Sequence, residues 1–117
     1  SAVTMGPTEW LDGVEISISG CDAEGTTNYM NARGAKGFEA SGGYALLGAD
    51  MRDCHPGASR ERFEELLASQ KLQAYTIERH GKRKLVYQAP VVRDGQFAGY
   101  VELVMDLPED LPHFVRG

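Results

Sequence analysis

The sequence predicts an α+β fold with one five-stranded antiparallel sheet and short helices packed on one of its faces. Two segments of strand composition lie near the start of the chain and three lie towards its end. Between them, residues 31–69 are divided into several short helical pieces and one longer helix. Sheets and helices must each bury an apolar face, and a sheet with helices on one side does so with this element order.

The first two strands are expected to form a hairpin. Residues 14–18 alternate apolar and polar side chains, which is the period-2 pattern of a half-buried strand. Residues 22–25 have turn composition, and residues 26–30 are rich in β-branched and aromatic side chains. The second strand should end at Asn31, whose side chain is a suitable N-cap for the first helix.

The helical region follows the hairpin. Glycines interrupt the apolar groups of residues 31–56, which predicts several helices of one or two turns. A longer helix should then reach about Ser69, because Phe63, Leu66 and Leu67 recur at helical spacing and Ser59 is a plausible N-cap.

The last part of the chain predicts a three-stranded meander over residues 72–79, 84–92 and 97–106, joined by two glycine-containing turns. Along its last strand, Phe97, Val101, Leu103 and Met105 share one apolar face, and the other face is mixed, with Tyr100, Glu102 and Asp106. We therefore expect the face that carries Met105 to meet the helices.

Composition restricts the classes of function. The 117 residues suit one domain, with a cap segment over 1–13, the domain itself over 14–106 and a tail over 107–117. A formal net charge of −5 argues against binding to nucleic acid. The sequence shows neither a leader pattern nor a membrane-spanning run, so we expect no membrane association. Cys21 and Cys54 fit no disulfide framework and indicate reduced thiols in a cytoplasmic protein.

Local motifs add a resemblance. The pattern Asp22-x-x-Gly25 followed by Tyr29-Met30-Asn31 is similar to the hairpin of PAS domains and to the Asn that opens their first helix. Residues 53–55, 74–78, 84–88 and 112–116 resemble those of short bacterial proteins that consist of little besides one PAS domain. The resemblance implies a free-standing, non-catalytic sensory module of bacterial signal transduction, cytoplasmic and often homodimeric, with a pocket between helices and sheet.

The ligand and the signalling partner stay open on this resemblance. Members of the family hold haem, flavin, small carboxylates, aromatic compounds or no ligand. Flavin is disfavoured, because residues 53–56 read Asp-Cys-His-Pro where the flavin photosensors have Asn-Cys-Arg-Phe. Haem is one candidate cofactor and an unidentified small molecule is the broader one. The alternative function is a ligand-free dimerisation or interaction domain.

His55 is the most informative candidate for ligand binding, since a histidine can coordinate haem, donate to a carboxylate or respond to pH. Its alternative role is structural, with the ring bonded to a backbone carbonyl at a helix end. Tyr75 and Tyr87 could both point into the pocket, or be core aromatics with internally bonded hydroxyls. The predicted ligand-binding residues are His55, Cys54, Tyr75, Tyr87, Tyr29, Phe38, Met51 and Met105.

Neither a catalytic constellation nor a metal site is predicted. Glu78 and Glu102 have the parity opposite to the apolar residues of their strands, which predicts solvated carboxylates instead of an acid and base pair. Cys54 and His55 are adjacent and cannot easily converge on one metal ion. Trp10, before the first strand, is expected to pack either on the sheet or on a second subunit.

Overall fold

Five strands and a set of short helices make up residues 5–55 and 57–117, the part of the chain that the computed structural model describes. In chain order the elements are α1 (Pro7–Asp12), β1 (Ser17–Asp22), β2 (Thr27–Met30), α2 (Ala32–Gly37), three 3₁₀ turns (Glu39–Ser41, Gly43–Leu46 and Met51–Cys54), α3 (Ala58–Ser69), β3 (Gln73–Arg79), β4 (Lys82–Arg93) and β5 (Gln96–Asp106). None of the described helices is long and apolar enough to cross a membrane.

The strands form one antiparallel sheet in the order β2-β1-β5-β4-β3, as the α+β prediction requires. β5 is the central strand, paired with β1 on one side and β4 on the other. β1 begins at Ser17, so the prediction of a strand from Val14 is wrong. The backbone carbonyl of Ile16 accepts a hydrogen bond from the side chain of Asn31. This bond holds the residues before Ser17 outside the backbone hydrogen bonding of the sheet.

Asn31 confirms its predicted role as the N-cap of α2. It is fully buried, and its Oδ1 accepts from the amides of Ile18 and Gly34 at 2.9 and 2.8 Å. Its Nδ2 donates to the carbonyls of Leu11 and Ile16, each at 2.8 Å. One side chain therefore connects the entry to β1, the end of α1 and the start of α2.

α3 ends at Ser69 as predicted, but its N-cap is Gly57 and not Ser59. The hydroxyl of Tyr100 on β5 lies 2.9 Å from the carbonyl oxygen of Leu66 and 2.7 Å from that of Lys71. Because both carbonyls belong to the end of α3 or the turn after it, Tyr100 fixes this end of the helix to the sheet.

The face of the sheet that meets the helices is the opposite of the one predicted. Tyr100 lies in the core cluster with Cys21, Leu66 and Leu67, so the face of β5 that carries Tyr100 and Glu102 is the inner one. The outer face carries Leu103 and Met105, which are half-buried. Both faces of β5 are apolar enough to pack, so period-2 alternation could not decide between them.

A register shift explains why Phe97 does not follow the parity of the other apolar residues of β5. Val91 pairs with Gly99 and Val92 pairs with Phe97, so Ala98 is an extra residue in this strand. The shift turns Phe97 to the inner face, where its ring meets that of Tyr100 edge-on, with 5.4 Å between ring centroids.

Candidate functional site

A cavity of about 510 Å³ lies between α3, the third 3₁₀ turn and the inner face of the sheet. Cavities of about 300–1,000 Å³ with mostly apolar walls and a few polar groups are typical of small-molecule sites. Its apolar and aromatic lining comprises Cys21, Phe38, Met51, Phe63, Leu66, Tyr75, Ile77 and Tyr100. Its polar lining comprises Ser19, His55, Ser59, Arg62, Gln73, Gln88 and Glu102.

Half of the predicted ligand-binding residues lie at this cavity. His55, Tyr75, Phe38 and Met51 all contribute to its lining. They come from separate parts of the chain, and the sheet and the 3₁₀ turns bring them together. Ligand binding by these four side chains stays a prediction.

The other predicted residues lie elsewhere. Tyr87 pairs with Leu103 and points to the outer face, as does Met105, so their expected position in the cavity is wrong. Tyr29 pairs with Gly20 on that outer side of the sheet. Cys54 packs against the buried cluster around Met30 and does not line the cavity. The inverted choice of sheet face accounts for the two residues of β4 and β5.

The His55 ring combines a structural contact with a place at the cavity. Its Nδ1 lies 2.7 Å from the carbonyl oxygen of Met51, and its ring stacks on Phe63 with 5.8 Å between centroids. A carbonyl oxygen only accepts, so Nδ1 carries a proton and Nε2 is an acceptor in the neutral ring. The structural role considered for His55 is therefore present, and one ring nitrogen is left for another partner.

A row of polar side chains crosses the cavity floor on four adjacent strands. Ser19 pairs with Glu102, Glu102 with Gln88, and Gln88 with Gln73, so all four side chains point to the inner face. The Nε2 of Gln88 donates to Oε2 of Glu102 at 2.8 Å. We define these four residues as the polar row.

Sequence reasoning missed the polar row. Glu102 was predicted to be a solvated carboxylate of the outer face, whereas it is half-buried on the inner one. The signal that was available is the pairing of β4 with β5, which places Gln88 beside Glu102 once the turn at Asp94-Gly95 is fixed. Glu78, by contrast, is exposed on the outer face of β3, as predicted.

Tyr75 stands near two opposite charges. Burial raises the pKa of its hydroxyl, the carboxylate of Glu102 raises it further, and the guanidinium of Arg62 lowers it. The residue is still 41% exposed, so Tyr75 occupies the edge of the cavity and not its floor. Within residues 5–55 and 57–117, no three His, Cys, Asp or Glu side chains are grouped in a way that could hold a metal ion.

The comparisons with known proteins identify the fold. No protein-family model and no curated protein match the sequence. The structure is similar to the C-terminal domain of a Streptococcus mutans protein, with a TM-score of 0.72 at 17% identity over 91% of this chain and 92% of that one. It is also similar to the PAS domain of BvgS from Bordetella pertussis, with a TM-score of 0.64 at 21% identity over 86% and 82%.

The chain has the PAS fold. A sensory box sensor histidine kinase from Vibrio cholerae gives a further match, with a TM-score of 0.61 at 14% identity over 88% of this chain and 90% of that one. The resemblance predicted from the hairpin and from the helix-opening Asn31 is thus confirmed at the level of the fold.

The outer face of the PAS sheet is a second surface of interest. Leu85 pairs with Met105, Tyr87 with Leu103, and Ala89 with Val101, which makes an apolar strip across β4 and β5. These side chains are only half-buried in the monomer. The same two strands therefore carry Gln88 and Glu102 of the polar row on one face and the apolar strip on the other.

Proposed function

We propose that this PAS-fold chain is a non-catalytic sensory module that takes a small molecule into the cavity and passes the binding event to a protein partner. The observation that carries the proposal is the polar row, which places hydrogen-bonding groups on the floor of a cavity that also has apolar and aromatic walls. Two of the structures that it resembles are a PAS domain of BvgS and a sensor histidine kinase, which favours a role in signalling.

The cavity is well placed to convert binding into a change of shape. Arg62, Phe63 and Leu66 contribute to its lining from α3, and Gln88 and Glu102 contribute from the sheet. A ligand that contacts both sides favours one packing of α3 on the sheet over another, in proportion to its difference in affinity for the two. Signal transfer in this mechanism needs no reaction.

A second copy of the chain is the partner that we propose for the outer face. The apolar strip on β4 and β5 supports this partner. Elsewhere on the surface, Trp10 of α1 and Phe114 of the tail are 62% and 70% exposed. Aromatic side chains of this kind are enriched at the centres of interfaces. The free thiols of Cys21 and Cys54 support a reducing compartment, and we propose the cytoplasm.

Native mass spectrometry tests both parts of the proposal in one measurement. We expect a dimer that retains an added small-molecule mass under gentle desolvation and loses it under harsh conditions. Ile77→Trp should fill the cavity from β3 and abolish the added mass. Thr76→Trp places the same bulk on the outer face of that strand and should retain it.

Two results would contradict the sensory proposal. One is retention of the added mass by the Ile77→Trp protein. The other is wild-type protein without added mass in which a fragment library also causes no NMR shifts at the cavity. A ligand-free dimer would then support the alternative function as a dimerisation domain, for which the half-buried apolar strip is the supporting feature.

A further inference from the structure

The carboxylate of Glu102 has no ion-pair partner in the described part of the chain. The ion pairs there involve other carboxylates, namely those of Asp50, Glu64 and Asp106. Oε2 of Glu102 accepts one hydrogen bond from the neutral amide of Gln88, and Oε1 accepts none from residues 5–55 or 57–117. Glu102 is half-buried and Oε1 is not fully enclosed, so the cavity contains a carboxylate with one oxygen accessible to solvent or to a ligand.

Arg62 lines the same cavity but does not neutralise this carboxylate. Its Nη2 donates to the hydroxyl of Ser59 at 3.2 Å, on the α3 side, and its side chain is exposed. No contact between Arg62 and Glu102 falls within ion-pair distance. Glu102 shares a cavity with Phe63 and Leu66 and is half-buried there, so a bound positive charge is attracted to its carboxylate more strongly than it would be in open water.

The neighbours of Glu102 in the polar row favour a ligand that donates several hydrogen bonds. Because Nε2 of Gln88 is used by Glu102, the amide oxygen of Gln88 is left as an acceptor. The hydroxyl of Ser19 lies beside Glu102 on the other side and also accepts. A protonated amine presents three N–H donors and a positive charge to this set, whereas a carboxylate ligand presents neither.

We propose that the cavity selects small organic amines in their protonated form, with the ammonium group bound by Glu102 in the polar row. The apolar part of the ligand lies against Phe63, Met51 and Tyr75. This inference rests on the proposed sensory function, because it names the ligand class of the same cavity.

Three probes with the same phenyl body and different head groups test the inference: 2-phenylethylamine, 2-phenylethanol and 3-phenylpropionate. Their affinities for the wild-type protein are measured by NMR titration, followed at the amides of Gln88 and Glu102. We expect the amine to bind at least about tenfold more tightly than the alcohol, and the carboxylate to bind most weakly. This ranking needs no variant and so does not depend on the folding of a mutant.

Glu102→Gln then tests the assigned residue. It keeps the size of the side chain and removes the charge, so the affinity for the amine should fall by about tenfold while that for the alcohol changes little. Glu78→Gln is the matched control, because it removes the same charge from the outer face of β3. It should leave all three affinities unchanged.

The outcomes that overturn the inference are distinct from those that overturn the sensory proposal. Equal or inverted affinities of the amine and the alcohol, or a preference that survives in Glu102→Gln, refute the selection of amines. In those cases ligands still enter the cavity and the sensory proposal stands. Absence of binding by all three probes at millimolar concentration refutes the selection of amines, and retention of added mass by the wild-type protein then decides the sensory proposal separately.

Discussion

Replacement of Asn31 by alanine should be among the most damaging single changes in this domain. The side chain is fully buried and makes four hydrogen bonds, two through Oδ1 and two through Nδ2. All four partners are backbone groups. Asn31→Ala therefore leaves the amides of Ile18 and Gly34, and the carbonyls of Leu11 and Ile16, without their partner.

The loss of stability in Asn31→Ala follows from these four hydrogen bonds. Loss of the N-cap bond to Gly34 costs about 1 kcal/mol. The amide of Ile18 is buried, and leaving such a donor unsatisfied costs about 1–3 kcal/mol. The carbonyls of Leu11 and Ile16 are nearer to solvent and regain water. We expect Asn31→Ala to lower the free energy of unfolding by about 2–4 kcal/mol, a large part of the stability of a domain of this size.

Urea unfolding followed by circular dichroism measures this difference. Asn28→Ala is the control, because Asn28 is an exposed asparagine on the neighbouring β2. Asn31→Asp keeps both accepted hydrogen bonds but places a buried carboxylate oxygen against the carbonyls of Leu11 and Ile16, so it should destabilise the fold at neutral pH at least as much as Asn31→Ala. A loss below about 1 kcal/mol for Asn31→Ala, with an unchanged denaturant slope, would refute the assignment of Asn31 as the connection between three elements.

Two further changes probe the sheet. Gly99→Ala should lower the free energy of unfolding by about 3 kcal/mol or more, because Gly99 has φ +141° and an added Cβ meets the carbonyl oxygen of Cys21. Gly37→Ala is the control and should be neutral or slightly stabilising, because an added Cβ there has no atom within 4 Å. Equal unfolding midpoints for the two variants would contradict this prediction. A hydrogen bond from Lys84 and its positive charge lower the pKa of the Asp106 carboxyl. The pair therefore stabilises the fold at pH values above the pKa of Asp106 in the unfolded chain, and this stabilisation is lost as the pH falls through the pKa of Asp106 in the folded chain. Lys84→Met should therefore be less stable than the wild type at neutral pH and equally stable in strong acid, as measured by urea unfolding at both pH values. If the two proteins differ in free energy of unfolding by the same amount at both pH values, this explanation is excluded.

The order of the elements was predictable because each one has a local signal. The capping role of Asn31 followed from its position between a strand and the first helical residues, and the structure places its Oδ1 on the amide of Gly34. The end of α3 at Ser69 followed from the helical spacing of Phe63, Leu66 and Leu67. Such signals depend on residues within one or two turns, so a single sequence contains them.

The orientation of the sheet was not predictable in the same way, because it depends on contacts between distant residues. The pattern of β5 puts Tyr100 on the mixed face, away from the helices, yet its hydroxyl reaches the carbonyls at the end of α3 and its ring joins the core. Tyrosine can bury its ring and still bond its hydroxyl, so polarity alone assigns it to the wrong side. The same inversion hid Glu102 and placed Tyr87 and Met105 in the cavity.

The central position of β5 gives the proposed sensor a direct route between its two surfaces. Along this strand, Glu102 points into the cavity, and Leu103 and Met105 belong to the apolar strip of the outer face, where we propose that a second copy binds. β5 pairs with β1 on one side and β4 on the other, so it cannot shift without moving the residues of both neighbours. A cationic ligand bound to Glu102 acts on the part of β5 at the floor of the cavity. The next residue of the same strand is Leu103, on the outer face, so a shift of β5 on binding reaches that face directly. If the outer face is the interface, binding of an amine should change the dimer affinity by the same factor by which dimerisation changes the affinity for the amine.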